Sequence, residues 1–119
     1  MTTNSAVVVM QLPESVSLNH IEELSQEVEP LLKGDRPCLV FDFSEVRQLD
    51  SAGIELLLCC MEEAMKKNGD VKLAAISAQI AVILELTRVN RLFEIFERPS
   101  DAVESFHRFP LHAFRSNAA

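Results

Sequence analysis

CLVFDFSEVRQLDSAGIELLLCCMEEAMKKNGDVKLAAIS, from Cys38 to Ser77, is the stretch on which the fold depends. Cys38 to Phe43 are apolar apart from Asp42 and read as a buried strand. SEVRQLD, Ser44 to Asp50, reads as a bend with Val46 and Leu49 turned inward. From Ser51 to Lys67 the apolar spacing becomes three and four. Ile54, Leu57, Leu58, Met61, Ala64 and Met65 form one helical stripe, widened by Leu56 and Cys60. Gly69 is the expected C′ residue closing that helix, and VKLAAI, Val71 to Ile76, is the next strand. Strand, helix and strand in this order predict a parallel pair joined by a right-handed crossover.

Upstream, AVVVMQL from Ala6 to Leu12 reads as a buried strand stopped by Pro13. Leu18, Ile21, Leu24, Val28, Leu31 and Leu32 then make an apolar stripe, with Ser17 or Asn19 as cap and Pro30 placed to kink or shorten the helix. PESV, Pro13 to Val16, reads as a turn between the two. Downstream, Ser77 caps a helix whose inward residues are Ile80, Ile83, Leu84 and either Leu86 or Thr87. LFEIF, Leu92 to Phe96, is a short final strand. A last helix has Pro99 and Ser100 at its head and Val103 and Phe106 inward. The expected architecture is α/β, with about four mostly parallel (mixed) strands packed by about four helices. The expected domain is single, 1–119, with a folded core near 6–107 and a C-terminal tail at 108–119.

With 119 residues, 48% of them hydrophobic, the chain can bury a core. A net charge of −7 with scattered Lys and Arg argues against nucleic acid as partner. Cys38, Cys59 and Cys60 form no CxxC pair and read as reduced, mostly buried residues of a cytoplasmic protein. His20, His107 and His112 lie far from them in sequence, so no metal is expected. Neither a signal peptide nor a membrane span is expected, since Glu55, Glu62 and Glu63 break the longest apolar stretch. No nucleophile elbow, P-loop or dinucleotide fingerprint is present, and the carboxylates read as solvated helix faces. An enzyme is not expected.

The helix start Asp50-Ser51-Ala52-Gly53 is the unusual feature. Asp50 or Ser51 can serve simply as an N-cap, yet Gly53 then costs the helix up to about 1 kcal/mol. A second reading uses the same physics. A helix N-terminus favours negative charge, so a phosphate on Ser51 is compatible with the fold while it alters the surface a partner meets. Small Ala52 and Gly53 would let a partner approach closely.

Cys38 to Ser77, with RVNRLFEIF downstream, resembles the centre of a STAS domain, the fold of bacterial anti-sigma factor antagonists. The likeness rests on an apolar strand ending near Asp, a bend, Asp50-Ser51-Ala52-Gly53 opening a helix, Gly69, and the VKLAAIS strand. It covers most of Ala6 to Phe106. The resemblance implies partner switching. An anti-sigma factor that is also a GHKL-type serine kinase is bound when Ser51 is unphosphorylated and released when it is phosphorylated; a PP2C-type phosphatase restores the hydroxyl. Asp50 would help position that hydroxyl, and ATP would belong to the kinase, so the chain itself needs no cofactor. Where antagonists carry Gly-x-(Leu/Ile)-Asp in an early turn, this chain has PESV, with Glu14 as the carboxylate at hand. The alternative is a constitutive STAS module or scaffold in a lipid-transport or signalling complex.

Overall fold

The computed structural model describes residues 6–108. The chain runs β1 (Val7–Gln11), β2 (Ser15–Val16), α1 (Ile21–Val28), β3 (Cys38–Asp42), β4 (Gln48–Leu49), α2 (Ser51–Lys66), β5 (Asp70–Ala74), α3 (Ala78–Leu86), β6 (Ile95–Phe96) and α4 (Pro99–Arg108). β1, β3, β5 and β6 form one sheet in that order, every pairing parallel. Among the described residues, the α/β architecture of a four-stranded parallel sheet packed by four helices is the expected one.

Strand alternation divides the core between the two faces of the sheet. Leu39, Phe41, Val71 and Leu73 face one side, where α1, α2 and α3 bring Leu24, Val28, Leu57, Met61, Ile80 and Leu84 onto them. Val40 and Ala74 face the other, covered by Ala102 of α4, with Val7, Phe96, Val103 and Phe106 packed around. Lys72 also points to the α4 side and is only 1% exposed. A charge at that depth needs partners. Its Nζ lies 3.0 Å from Glu94 Oε1, donates to Ser105 Oγ at 2.6 Å, and sits 4.1 Å from the centroid of the Phe106 ring.

Several elements differ from their sequence reading. PESV is more than a turn: Ser15 and Val16 pair in parallel with Gln48 and Leu49, giving a second, two-stranded sheet. α1 is preceded by a 3-10 turn at Leu18–His20 and receives no side-chain cap, so Leu18 leaves the apolar stripe and is 69% exposed. Pro30 does shorten the helix, and the chain continues as a 3-10 turn over Glu29–Leu32. In α2, Leu57, Cys60, Met61 and Ala64 are buried, but Ile54 and Leu58 are half-buried and Met65 is exposed.

The C′ residue of α2 is Asn68, at φ 67, not Gly69. The Gly69 N–H donates to the Ala64 carbonyl (2.8 Å) and the Asn68 N–H to Met65 (3.1 Å), a Schellman closure. Gly69 is needed for another reason: a β-carbon there would collide with the Pro37 backbone.

Leu86 and Thr87 are both exposed, because α3 turns only Ile80 and Leu84 fully inward. The strand at Val71 to Ile76 spans Asp70–Ala74 instead, and Ala75 takes a left-handed φ of 61. The final strand is only Ile95–Phe96, since a 3-10 turn at Val89–Arg91 occupies the approach and leaves Leu92 exposed. β1 is an edge strand rather than a buried one, with Val9 exposed. Of the cysteines, Cys60 is buried, Cys38 half-buried and Cys59 exposed. Burial, then the neighbouring Cys59, pushes the Cys60 thiol up to about 12. The tail expected at 108–119 lies outside the described residues beyond Arg108.

Candidate functional site

Asp50 connects β4 to α2 and has extended backbone, so its side chain can turn back over the first helical turn. One oxygen, Oδ1, accepts from the Gly53 N–H at 3.1 Å. The other, Oδ2, accepts from the Leu18 N–H at 3.0 Å. A single carboxylate thus caps α2 and holds the turn that leads into α1. These bonds, Leu18 first and Gly53 second, keep Asp50 below the usual carboxylate range.

Gly53 is buried. A β-carbon at this position would run into the Val16 carbonyl oxygen and lie 2.8 Å from Leu49 Cδ1. The close approach that glycine permits is therefore made by the chain's own β2. This corrects the idea that Gly53 is small to admit a docking protein, and it gives the helix penalty an internal cause.

Ser51 is the first residue of α2 and is exposed. Together with Leu18, Asp50, Ala52, Ile54, Glu55 and Leu58 it lines a shallow groove of about 550 Å³. Three of these residues, Leu18, Ile54 and Leu58, read in the sequence as core. Their apolar spacing is real, but Leu18 is exposed, and Ile54 and Leu58 pack only partly against the core. Only the parallel pairing of β2 with β4 could have revealed this, and two-residue strands leave almost no sequence signal.

Glu14 stands elsewhere. Its carboxylate lies 3.6 Å from Arg47 Nε, with both side chains exposed. Its carbonyl accepts from the N–H groups of Arg47 (2.8 Å) and Gln48 (3.1 Å), which starts the β2–β4 pairing. It lines a different groove, with Gln11, His20, Glu23, Glu27 and Glu45 among the neighbours. The structure therefore gathers Asp50, Ser51 and Ala52 around one groove and puts Glu14 at another.

The chemistry on offer is that of a presented hydroxyl beside a fixed anion and an apolar floor. Among the described residues, no group of His, Cys, Asp and Glu could hold a metal ion, and no helix is long and apolar enough to cross a membrane.

A family model, the STAS domain, matches residues 1–102. No curated protein matches the chain. Among solved structures, a candidate anti-sigma factor antagonist of Thermotoga maritima superposes with a TM-score of 0.79 at 18% identity, over 90% of this chain and 92% of that one. The anti-sigma factor antagonist SpoIIAA, a Bacillus cell fate determinant, in its unphosphorylated form gives 0.73 at 14% identity, over 92% and 96%. The STAS domain of a SulP transporter from Vibrio cholerae gives 0.67 at 13% identity, over 97% and 88%. At such identities these likenesses establish the fold alone.

Proposed function

The chain belongs to the STAS domain family, and we propose that it is an anti-sigma factor antagonist, a protein-binding module switched by phosphorylation of Ser51. The observation that carries this reading is an exposed Ser51 at the first position of α2, beside a carboxylate whose geometry is fixed from two sides. Asp50 occupies the Gly53 N–H, so a phosphate on Ser51 would stand outside that cap, beside the groove lined by Leu18, Ile54 and Leu58. It would add about −1.5 to −2 charges next to Asp50 and Glu55. The dipole of α2 softens the cost of that charge for the domain. A partner whose surface fits the neutral hydroxyl and a single carboxylate receives no such relief. SpoIIAA, which shares the fold, is known in both an unphosphorylated and a phosphorylated form.

On this reading the chain is a substrate of a GHKL-type serine kinase that is also its binding partner, and of a PP2C-type phosphatase, and it acts in the cytoplasm. The test is incubation with such a kinase and ATP, with phosphate mapped by mass spectrometry, and partner affinity measured for Ser51→Ala and Ser51→Asp. Label on Ser51 is expected, with Ser51→Asp binding more weakly by a few kcal/mol at most. Equal affinities for the two variants, or an unlabelled Ser51, would overturn the reading.

A second reading is supported by the likeness to the SulP transporter domain. A STAS module can dock constitutively on a larger assembly, as in a lipid-transport or signalling complex. It predicts a pulldown partner whose binding ignores the charge at position 51.

A further inference from the structure

α3 is the helix whose composition fits its position least. Its nine residues, Ala78–Leu86, include only Gln79 and Glu85 as polar side chains, so it is apolar nearly all round. A helix of that kind belongs in an interior. Here Ile80 and Leu84 face the core, while Val82 and Leu86, one turn apart, point outward at 52% and 79% exposure. Leu92 and Ile95 follow, also exposed. Ile95 sits on the edge strand β6 and lines a groove of about 580 Å³ with Ala81, Leu84, Glu85 and Arg98. Four of the seven large apolar residues exposed among the described ones thus fall between positions 82 and 95.

The charge of this region bears on what could cover it. Residues 78–98 contain Glu85, Glu94 and Glu97 against Arg88, Arg91 and Arg98, a net of zero. The chain has 18 acidic and 11 basic residues, so removing three of each leaves its whole net charge of −7 outside this segment. This segment therefore adds no net charge of its own to the repulsion between two copies of an acidic chain. Glu94 already pairs with Lys72, and Arg98 with Asp101. Glu85, Glu97, Arg88 and Arg91 are exposed and supply both signs to a rim. A strongly basic or strongly acidic partner would find no complementary field on such a face, whereas a copy related by two-fold symmetry offers each acid a base.

We propose that the outward face of α3, continued over Leu92 and Ile95, is a homodimer interface. Val82 and Leu86 form its apolar centre, and Glu85 of each copy faces Arg88 and Arg91 of the other. The experiment is sedimentation equilibrium of the full chain over a concentration series, with thermal melts to check folding. The wild type is expected to dimerise, and Leu86→Asp to weaken the dimer about tenfold or more while its melt, taken at a concentration where both proteins are monomeric, stays unchanged. Glu85→Arg alone and Arg88→Glu/Arg91→Glu alone should each be weaker dimers. An equimolar mixture of those two proteins should form a heterodimer tighter than either parent. Ser51→Asp should leave the association as it was, which separates this interface from the Ser51 groove. A wild type that stays monomeric to about 1 mM, a dimer indifferent to Leu86→Asp, or a mixture no tighter than its parents would overturn the proposal.

Discussion

At its first turn α2 lies against the backbone of β2, and just past its last turn the chain lies against Pro37. In both places a glycine allows the approach, because a β-carbon on Gly53 or Gly69 would meet a backbone carbonyl oxygen. Both ends are also tied by hydrogen bonds. Asp50 takes the Leu18 and Gly53 N–H groups at one end. At the other, the Arg36 N–H donates to the Lys67 carbonyl (3.0 Å) and Lys67 Nζ donates to the Leu32 carbonyl (2.7 Å). The difference is in what remains outside. The C-terminal end turns directly into the buried strand β5, whereas the N-terminal end leaves Ser51 on the surface beside half-buried apolar residues. Rigid anchoring is common to both ends; presentation belongs to one.

The sharpest way to break this symmetry is Gly69→Ala. The collision is with the Pro37 backbone, which has little room to move, and a cost of about 3 kcal/mol is expected in chemical denaturation. Gly53→Ala meets a similar collision but gains about 1 kcal/mol of helix propensity, leaving a net cost of about 2 kcal/mol. A Gly53→Ala protein as stable as the wild type would show that β2 yields easily and that the N-terminal end is not firmly docked. Leu58→Ala sharpens the comparison further. Fully buried Leu57 should lose about 2–5 kcal/mol on truncation, while half-buried Leu58 should lose about 1 kcal/mol. The smallest effect is the pH dependence of Asp50. Its folded pKa is lowered, so its contribution to stability is complete above the ordinary carboxylate range near pH 4 and is lost as pH falls through the folded value. Acid melts of Asp50→Asn should therefore show a shallower loss of stability than the wild type in that window.

The sheet and its helices were legible because their patterns are long and regular. The run from Cys38 to Phe43 and the three-and-four spacing through Leu57, Met61 and Ala64 carry a period that tertiary context did not override. What sequence could not supply was the short parallel contact of Ser15-Val16 with Gln48-Leu49. Its absence from the reading left Leu18 and Leu58 in the core and gave Gly53 an outward purpose. Ser51 was legible as a helix-start residue because Asp50 and Ser51 are both N-cap types, and the structure gives the cap to Asp50 and the first helical position to Ser51. Lys72 inside VKLAAI carries a signal of its own, since a single ammonium in an apolar strand generally marks an ion pair.

That ammonium has a consequence for how the domain opens. Lifting α4 from the sheet would uncover only a small apolar cluster, and it would also return Lys72 to water, recovering solvation that burial withholds. The two terms oppose each other, so α4 should detach well before α2 lets go of the opposite face. In native-state hydrogen exchange the amides of α4 should therefore swap first, as one cooperative flap, with the three-helix layer still closed beneath Ser51.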